Sequence, residues 1–177
     1  QSFDYLIRFL MESAYDPKVE EIKLTHYRVA ENSEVINALV TAARNGKKVT
    51  VYVELKARFD EENNIFTSEQ MQKAGIHVIY GVPGLKVHAK VALILRRSIG
   101  GTNMEKSFAF LSTGNFNEKT AKVYSDIGLF TYNTQIITEL NCLFEILEGK
   151  DVPPVFNTLL VAQYNMLDVL KSMIDQE

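Results

Sequence analysis

The run Lys86-Val87-His88-Ala89-Lys90 places a histidine between two lysines at alternate positions. Because alternate side chains of a β-strand point to one face, we expect Lys86, His88 and Lys90 to share a face. Two neighbouring cations favour the neutral imidazole, since protonation would meet like-charge repulsion. A neutral imidazole is a nucleophile, and the lysines could bind an anionic phosphoryl group. The same run also fits a solvated strand face that carries a lone histidine.

A second candidate is the polar segment 112–120, Ser-Thr-Gly-Asn-Phe-Asn-Glu-Lys-Thr, which follows a predicted strand. Small residues at such a position let backbone N–H groups face an anion. We expect Asn115 to orient a phosphoryl oxygen there. The alternative is an ordinary loop in which an asparagine caps a short helix.

Two arginines, Arg28 and Arg58, also follow predicted strands. Ligands of parallel α/β sheets lie beyond the carboxyl ends of the strands. Guanidinium groups suit bidentate phosphate contact, so the two arginines are predicted to clamp a phosphate. Ion pairing on the surface, for instance of Arg58 with nearby acids, is the alternative.

The other two histidines are interpreted differently. His77 falls in a short apolar strand and is predicted to be buried and structural. His26 precedes Arg28 and could line the site. The sequence has no Cys/His spacing typical of zinc and no glycine motif typical of nucleotide-binding loops.

Periodicity and turn signals predict the elements that must position these residues. Helices are predicted over residues 1–15, 68–74, 136–147 and 165–174, and another is predicted from a Ser33 cap to Gly46. Strands are predicted over residues 21–27, 49–55, 77–80, 89–96, 106–112 and 126–132. Alternating strands and helices favour parallel pairing in the first part, and a glycine-containing loop favours antiparallel pairing in the second. We therefore predict one α/β domain over residues 1–177, with a mixed sheet flanked by helices.

Composition narrows the classes of function. The chain has 177 residues, 46% apolar and 23% charged, which is ordinary for a soluble globular domain. Its net charge of −3 does not favour a nucleic-acid binder, although it is compatible with a local anion site. No apolar run is long enough to cross a membrane. The single cysteine, Cys142, excludes an internal disulfide, favours a reducing compartment and fits a helix core.

Four segments together resemble the polyphosphate kinase family: 22–30, 53–61, 81–90 and 113–121. The H-x-K run and the later glycine–asparagine loop also resemble half of a phospholipase D-type site. The resemblance implies a phospholipase D-like fold within a larger enzyme, in which this chain is the first of two catalytic domains. A second catalytic domain, which this sequence does not include, would complete the site.

The resemblance also implies roles for individual residues. His88 would be the autophosphorylated histidine, and Tyr124 would contact the nucleotide. Arg28 and Arg58 fall on positions of magnesium binding. Because a guanidinium has no lone pair to give, we expect these arginines to bind phosphate oxygens that in turn hold the metal. The remaining predicted site residues are Lys86, Lys90 and Asn115.

The activity that the resemblance implies is reversible transfer of the terminal phosphate of ATP to polyphosphate through phosphohistidine, with Mg²⁺ as cofactor. The implied partners are ATP or ADP, inorganic polyphosphate, the second catalytic domain, and further copies of the chain in a homo-oligomer. We expect no nucleic-acid partner, and a cytoplasmic location that could extend to peripheral association with the inner membrane. We expect the isolated chain to be inactive by itself.

Three positions depart from the expected patterns. Leu95 stands where phospholipase D-type hydrolases carry an acid. This counts against the alternative of a phosphodiesterase in which His88 attacks a diester. His26 stands in place of an aliphatic residue, and Gln163 in place of a proline. A non-catalytic anion-binding module is the other alternative.

Overall fold

The computed structural model describes residues 3–27, 33–54, 61–81, 86–97 and 107–176, apart from the side chains of residues 61–63. The helices of this part are α1 Asp4–Tyr15, α2 Glu34–Arg44, α3 Glu61–Lys73, α4 Thr134–Leu147 and α5 Met166–Asp175, with a short 3₁₀ helix at Thr120–Lys122. The strands are β1 Val19–His26, β2 Lys48–Val53, β3 His77–Tyr80, β4 Lys90–Arg96, β5 Phe108–Ser112 and β6 Gly128–Thr131.

The described strands form one six-stranded sheet in the order β3-β2-β1-β4-β5-β6. Strands β1, β2 and β3 pair in parallel. Strands β1 and β4, β4 and β5, and β5 and β6 pair antiparallel. The predicted α/β class, with a mixed sheet flanked by helices, is therefore confirmed, and so is the antiparallel pairing of β4 with β5.

Helix α2 begins and ends where the local sequence predicts. The Ser33 side chain accepts a hydrogen bond from the Val35 N–H, which satisfies one of the unpaired donors of the first turn. Gly46 follows the helix with φ +80°, a conformation that costs glycine little. Both boundaries depend on neighbouring residues, and both predictions are confirmed.

Alternation along β1 places Ile22 and Leu24 in the main core, where both are fully buried. Leu10 of α1 and Leu39 of α2 belong to the same core, and these two helices pack against each other. Burial of each such side chain contributes about 1.5–3 kcal/mol. This core holds the sheet whose strand ends carry the candidate residues.

Two sequence predictions, the burial of His77 and that of Cys142, are wrong. His77 lies in a strand as predicted, but β3 is the end strand of the sheet and the His77 side chain is exposed. The helix predicted over 68–74 is confirmed, and it begins at Glu61. Cys142 lies in α4 but is only half-buried, with its Sγ 3.6 Å from the carbonyl oxygen of Pro153.

The chain divides into two compact units, Gln1–Tyr132 and Asn133–Glu177. In the second unit, the buried Glu139 carboxylate accepts hydrogen bonds from the N–H groups of Asn157, Thr158 and Leu159. Asn165 donates to the carbonyls of Phe156 and Leu159 and accepts from the N–H of Val161. These bonds order the segment between α4 and α5. No helix among the described residues has the length and apolar character needed to span a membrane.

Candidate active site

The candidate segments meet at one edge of the sheet. The parallel strands β1 and β2 end together, with His26 opposite Val53. The antiparallel strand β4 begins at this edge with Lys90, which lies opposite Ser112 at the end of β5. Ser112 in turn lies opposite Gly128 at the start of β6. The sheet therefore brings the segments that adjoin these strand ends into one region.

The run from Lys86 to Lys90 approaches this edge without forming a strand until Lys90. The prediction that alternation along one strand groups the two lysines and His88 is therefore wrong for Lys86 and His88, which precede β4. Both of these side chains are exposed, whereas Lys90 is only 5% exposed. The Lys90 ammonium donates a 2.6 Å hydrogen bond to the backbone carbonyl of His88.

The ring of Tyr27 gathers the same three side chains. The His88 imidazole and the Tyr27 ring form a T-shaped pair, with centroids 4.9 Å apart and an interplanar angle of 80°. The Nζ atoms of Lys86 and Lys90 lie 5.6 Å and 5.0 Å from the ring centroid. These distances are within the range of cation–π attraction. A histidine and two cations therefore share one aromatic platform.

Hydrogen bonds fasten the backbone on both sides of His88. The Val87 N–H donates to Oε2 of the buried Glu54, 3.2 Å away. The Thr25 hydroxyl donates to the carbonyl of Ala89 at 2.7 Å and accepts from the N–H of Val91 at 2.9 Å. Side chains of β1 and of the end of β2 therefore position the histidine segment.

A buried polar network supports the same strand ends. Asn64 of α3 donates through Nδ2 to the carbonyls of Tyr27 and Glu54. Its Oδ1 must therefore accept, and it lies 3.1 Å from Nε2 of His26, so the network assigns the proton to that nitrogen. His26 is 1% exposed, and burial lowers its pKa from 6.5 to about 4 despite the Asn64 hydrogen bond. His26 is thus a neutral structural residue that does not line the site.

The loop after β5 is shaped by its own asparagines and hydroxyls. Asn117 accepts through Oδ1 from the N–H groups of Lys119 and Thr120, at the start of the short 3₁₀ helix, whose N-cap residue is Lys119. Oδ1 of Asn115, by contrast, is buried and has no hydrogen-bond partner among the described residues. An acceptor in this state is available for a donor from a ligand or a further domain.

Glu118 ties this loop to the start of α2. Its Oε1 accepts from the Ser33 hydroxyl at 2.7 Å and from the Glu34 N–H at 2.9 Å. A carboxylate at a helix N-terminus satisfies unpaired donors and complements the helix dipole. The loop that carries Asn115 is therefore held by helix α2 as well as by strand β5.

A cleft of about 640 Å³ opens beside Asn115. Its polar lining includes Asn115, Ser125 and Asp126, and the exposed ring of Tyr124 stands at its wall. Its apolar lining consists mainly of the aromatic residues Phe3, Tyr5, Phe110, Phe116 and Phe130. Such a cleft can accept a flat aromatic group that carries hydrogen-bond donors.

Comparison with known proteins decides the family. The profile described as polyphosphate kinase C-terminal domain 1 matches residues 1–153. The chain belongs to the polyphosphate kinase family. The polyphosphate kinase of Staphylococcus saprophyticus is 47% identical over 177 residues, which cover 100% of this chain and 24% of that protein. The polyphosphate kinase of Escherichia coli is 43% identical over 176 residues, which cover 99% of this chain and 25% of that protein.

Solved structures agree with this assignment. The crystal structure of polyphosphate kinase from Porphyromonas gingivalis matches with a TM-score of 0.88 and 55% identity, over 98% of this chain and 29% of that one. Nuc, a phospholipase D family member from Salmonella typhimurium, matches with a TM-score of 0.59 and 14% identity, over 80% of this chain and 84% of that one. The second likeness confirms a phospholipase D-like fold. The chain spans about a quarter of the polyphosphate kinases that it matches.

Two predicted site residues of this polyphosphate kinase domain, Arg28 and Arg58, lie outside the described residues. Among the residues that are described, no three His, Cys, Asp or Glu side chains cluster to hold a metal ion. The described part therefore does not by itself provide a protein cage for Mg²⁺. The role of the two arginines stays a prediction.

The three departures from the expected patterns have different surroundings. Leu95 belongs to β4 and pairs with Glu21, toward the far end of the strand from Lys90. Gln163 lies in the second unit. His26 is buried in the polar network described above.

Sequence reasoning missed Tyr27, Glu54 and Asn64 as determinants of the site. Tyr27 and Glu54 fall inside segments that resemble the family, but the residue types alone do not indicate which atoms they contact. Asn64 had no signal beyond its place in a polar stretch. The signal that could have found Glu54 is an acid directly after a valine-rich strand, where burial demands a hydrogen-bond partner.

Proposed function

We propose that this chain is the first catalytic half of a polyphosphate kinase, in which His88 carries phosphate between ATP and polyphosphate. The observation that carries the proposal is the cluster of His88, Lys86 and Lys90 around Tyr27, at the sheet edge where the β5–β6 loop also begins. Family membership supports the reaction class, since the matched relatives are named polyphosphate kinases.

In the proposed reaction, a neutral nitrogen of His88 attacks the terminal phosphorus of ATP in line. The bond from phosphorus to the bridging oxygen breaks, and ADP leaves with that oxygen. A terminal oxygen of polyphosphate then attacks the phosphohistidine, which lengthens the polymer by one phosphate and restores the imidazole. Both steps are reversible, because the phosphoryl group moves between acceptors of similar energy.

Charge stabilisation is the main contribution of the other residues. The transferring group carries negative charge on its equatorial oxygens, and Lys86, Lys90, Arg28 and Arg58 would neutralise it. Mg²⁺ would arrive with the phosphate oxygens of the nucleotide, as is usual for this ion.

The cleft beside Asn115 supports a place for the nucleotide. Tyr124 would contact the base, and the acidic Asp126 offers an acceptor for an exocyclic amine. Asn115 would orient a phosphoryl oxygen by donating through its side-chain Nδ2, while its buried Oδ1, which has no partner among the described residues, would accept from another donor.

We further propose that the second catalytic domain completes this site and that the full-length enzyme self-associates. The isolated chain should then make little polyphosphate. The test is to incubate full-length enzyme and the isolated chain with ATP labelled in its terminal phosphate, and to measure both polymer and acid-labile protein label. Robust polymer synthesis by the isolated chain would contradict the requirement for the second domain. Sedimentation of the full-length enzyme as a monomer would contradict self-association.

A further inference from the structure

Tyr27 directly follows β1 and touches every candidate group of the histidine run. The geometry points to Tyr27 as a positioning residue for phosphoryl transfer at His88, an inference that rests on the proposed function. Its aromatic ring, rather than its hydroxyl, holds the imidazole and the two ammonium groups in place before phosphate arrives.

The cation contacts provide the first argument. The Nζ atoms of Lys86 and Lys90 lie 5.6 Å and 5.0 Å from the ring centroid. Two like charges repel each other, and without an attracting group the exposed Lys86 ammonium would move away from the buried Lys90. The negative face of an aromatic ring attracts both, so it can keep two cations close to one imidazole.

The ring–ring contact provides the second argument. The His88 side chain is exposed, yet its ring meets Tyr27 at 4.9 Å and 80°, an edge-to-face arrangement that is favourable for aromatic pairs. An exposed imidazole without such a neighbour would sample several rotamers. Contact with Tyr27 therefore limits the orientations from which His88 can attack.

The third argument is that Tyr27 is itself fixed. Its carbonyl accepts a 3.1 Å hydrogen bond from Asn64, and the preceding His26 is buried and bonded to the same asparagine. The ring is half-buried, so its position is set by packing rather than by solvent. A fixed ring can hold the exposed side chains of Lys86 and His88 in place beside the buried Lys90, whereas a mobile ring could not.

The inference is tested on full-length polyphosphate kinase that contains this chain, by rapid-quench measurement of phosphohistidine formation from labelled ATP. Tyr27→Phe keeps the ring and should label His88 at close to the wild-type rate. Tyr27→Leu removes the ring and should slow labelling roughly 10- to 100-fold, with a larger effect on kcat than on KM, because orientation rather than binding is lost. Tyr15→Leu, at an exposed tyrosine of α1, is the matched control and should leave the rate unchanged.

A second series keeps the test decisive if Tyr27→Leu does not fold. Phenylalanine analogues with increasing fluorination at position 27 preserve the shape of the ring while weakening its negative face. The labelling rate should fall stepwise along this series, since the attraction to both lysines weakens. A rate that does not change with fluorination, or a wild-type rate in folded Tyr27→Leu, would overturn the role of Tyr27 alone. Absence of label on His88 in the wild-type enzyme would overturn the proposed function and this inference with it.

Discussion

The buried carboxylate of Glu54 accepts a hydrogen bond from the backbone N–H of Val87, 3.2 Å away, one residue before His88. The end of β2 thereby positions a histidine that lies far along the chain. The contact matters because a small displacement of a nucleophile can slow a transfer reaction considerably.

Removal of the Glu54 acceptor should therefore slow the reaction. In full-length enzyme, Glu54→Ala should reduce the rate of His88 labelling by about tenfold or more, because the Val87 N–H loses its partner and the segment loosens. Glu54→Gln keeps an acceptor oxygen and should retain most of the rate. Equal loss in both variants would show that the negative charge, rather than the hydrogen bond to Val87, is what matters.

Gly114 should tolerate no side chain while Asp126 is present. A Cβ added at Gly114 would overlap the Asp126 carboxylate, whereas a Cβ at Gly46 would meet nothing nearby. Gly114→Ala should therefore displace the loop before Asn115 and destabilise the protein by about 1–3 kcal/mol. Asp126→Gly removes every clashing side-chain atom, including the Cβ, and should relieve the overlap, so a double-mutant cycle in thermal unfolding should show strong positive coupling. Additive effects would contradict the close approach.

His26 should make the stability of the strand ends depend on pH. Its pKa is lowered from 6.5 to about 4 in the folded protein because the imidazole is buried. Between these pH values the unfolded chain binds more protons than the folded one, so stability falls as pH decreases from 6.5 to about 4. The loss should be on the order of 3 kcal/mol over that window.

Hydrogen exchange of the Glu54 backbone amide can test this prediction, because that amide donates to the His26 carbonyl. The free energy of opening at this amide should be measured across the same pH range. His26→Leu should remove most of the pH dependence, and the exposed His77→Leu should not. A slope that persists in His26→Leu would assign the effect to another group.

Glu139 should anchor the segment before α5. Burial would raise the pKa of its carboxyl, but hydrogen bonds from Leu159, Asn157 and Thr158 outweigh that effect and lower it. Its contribution to stability is therefore present above the ordinary pKa of a glutamate and is lost as pH falls through the lowered value. Glu139→Ala leaves N–H groups without their acceptor, at a cost of about 1–3 kcal/mol for each that stays buried. Hydrogen exchange at Leu159 should accelerate, and unchanged protection there would contradict the anchor.

Sequence reasoning succeeded where the deciding residues are close together in the chain. The Ser33 cap and the glycine at the end of α2 could be predicted because each acts within a few residues. The exposure of His77 could not, because it depends on β3 being the end strand, and strand order is set by contacts between distant segments. A short apolar strand looks the same in the centre and at the edge of a sheet.

The candidate site also has a part that the sequence could predict and a part that it could not. Residue types and spacing were enough to single out Lys86, His88 and Lys90. They could not identify the Tyr27 ring that contacts all three, because Tyr27 reaches them across the β1–β4 pairing. The expectation that one strand face carries these three side chains was wrong, because the Val87 N–H donates to the Glu54 side chain instead of to the backbone of a neighbouring strand. For Arg28 and Arg58, the predicted phosphate clamp stays a prediction.

Lys90 should assist transfer without being essential. Its ammonium is held by the His88 carbonyl and lies near the Tyr27 ring, so it can stabilise charge but does not form the bond to phosphorus. Lys90→Ala should lower the rate of labelling by about 10²-fold, in the range observed for loss of a charge-stabilising donor, and label should still accumulate on His88. Complete loss of label in a folded Lys90→Ala enzyme would contradict this division of roles.

The central claim is that His88 carries the phosphate. The direct measurement is to incubate full-length enzyme with ATP labelled in its terminal phosphate, digest it under basic conditions, and map the acid-labile, base-stable label to a peptide. The label should lie on the peptide that contains His88, and His88→Ala should abolish both label and polyphosphate synthesis, while His77→Ala, at an exposed position of β3, keeps both. Wild-type labelling and synthesis in a folded His88→Ala enzyme would contradict the assignment and the mechanism built on it.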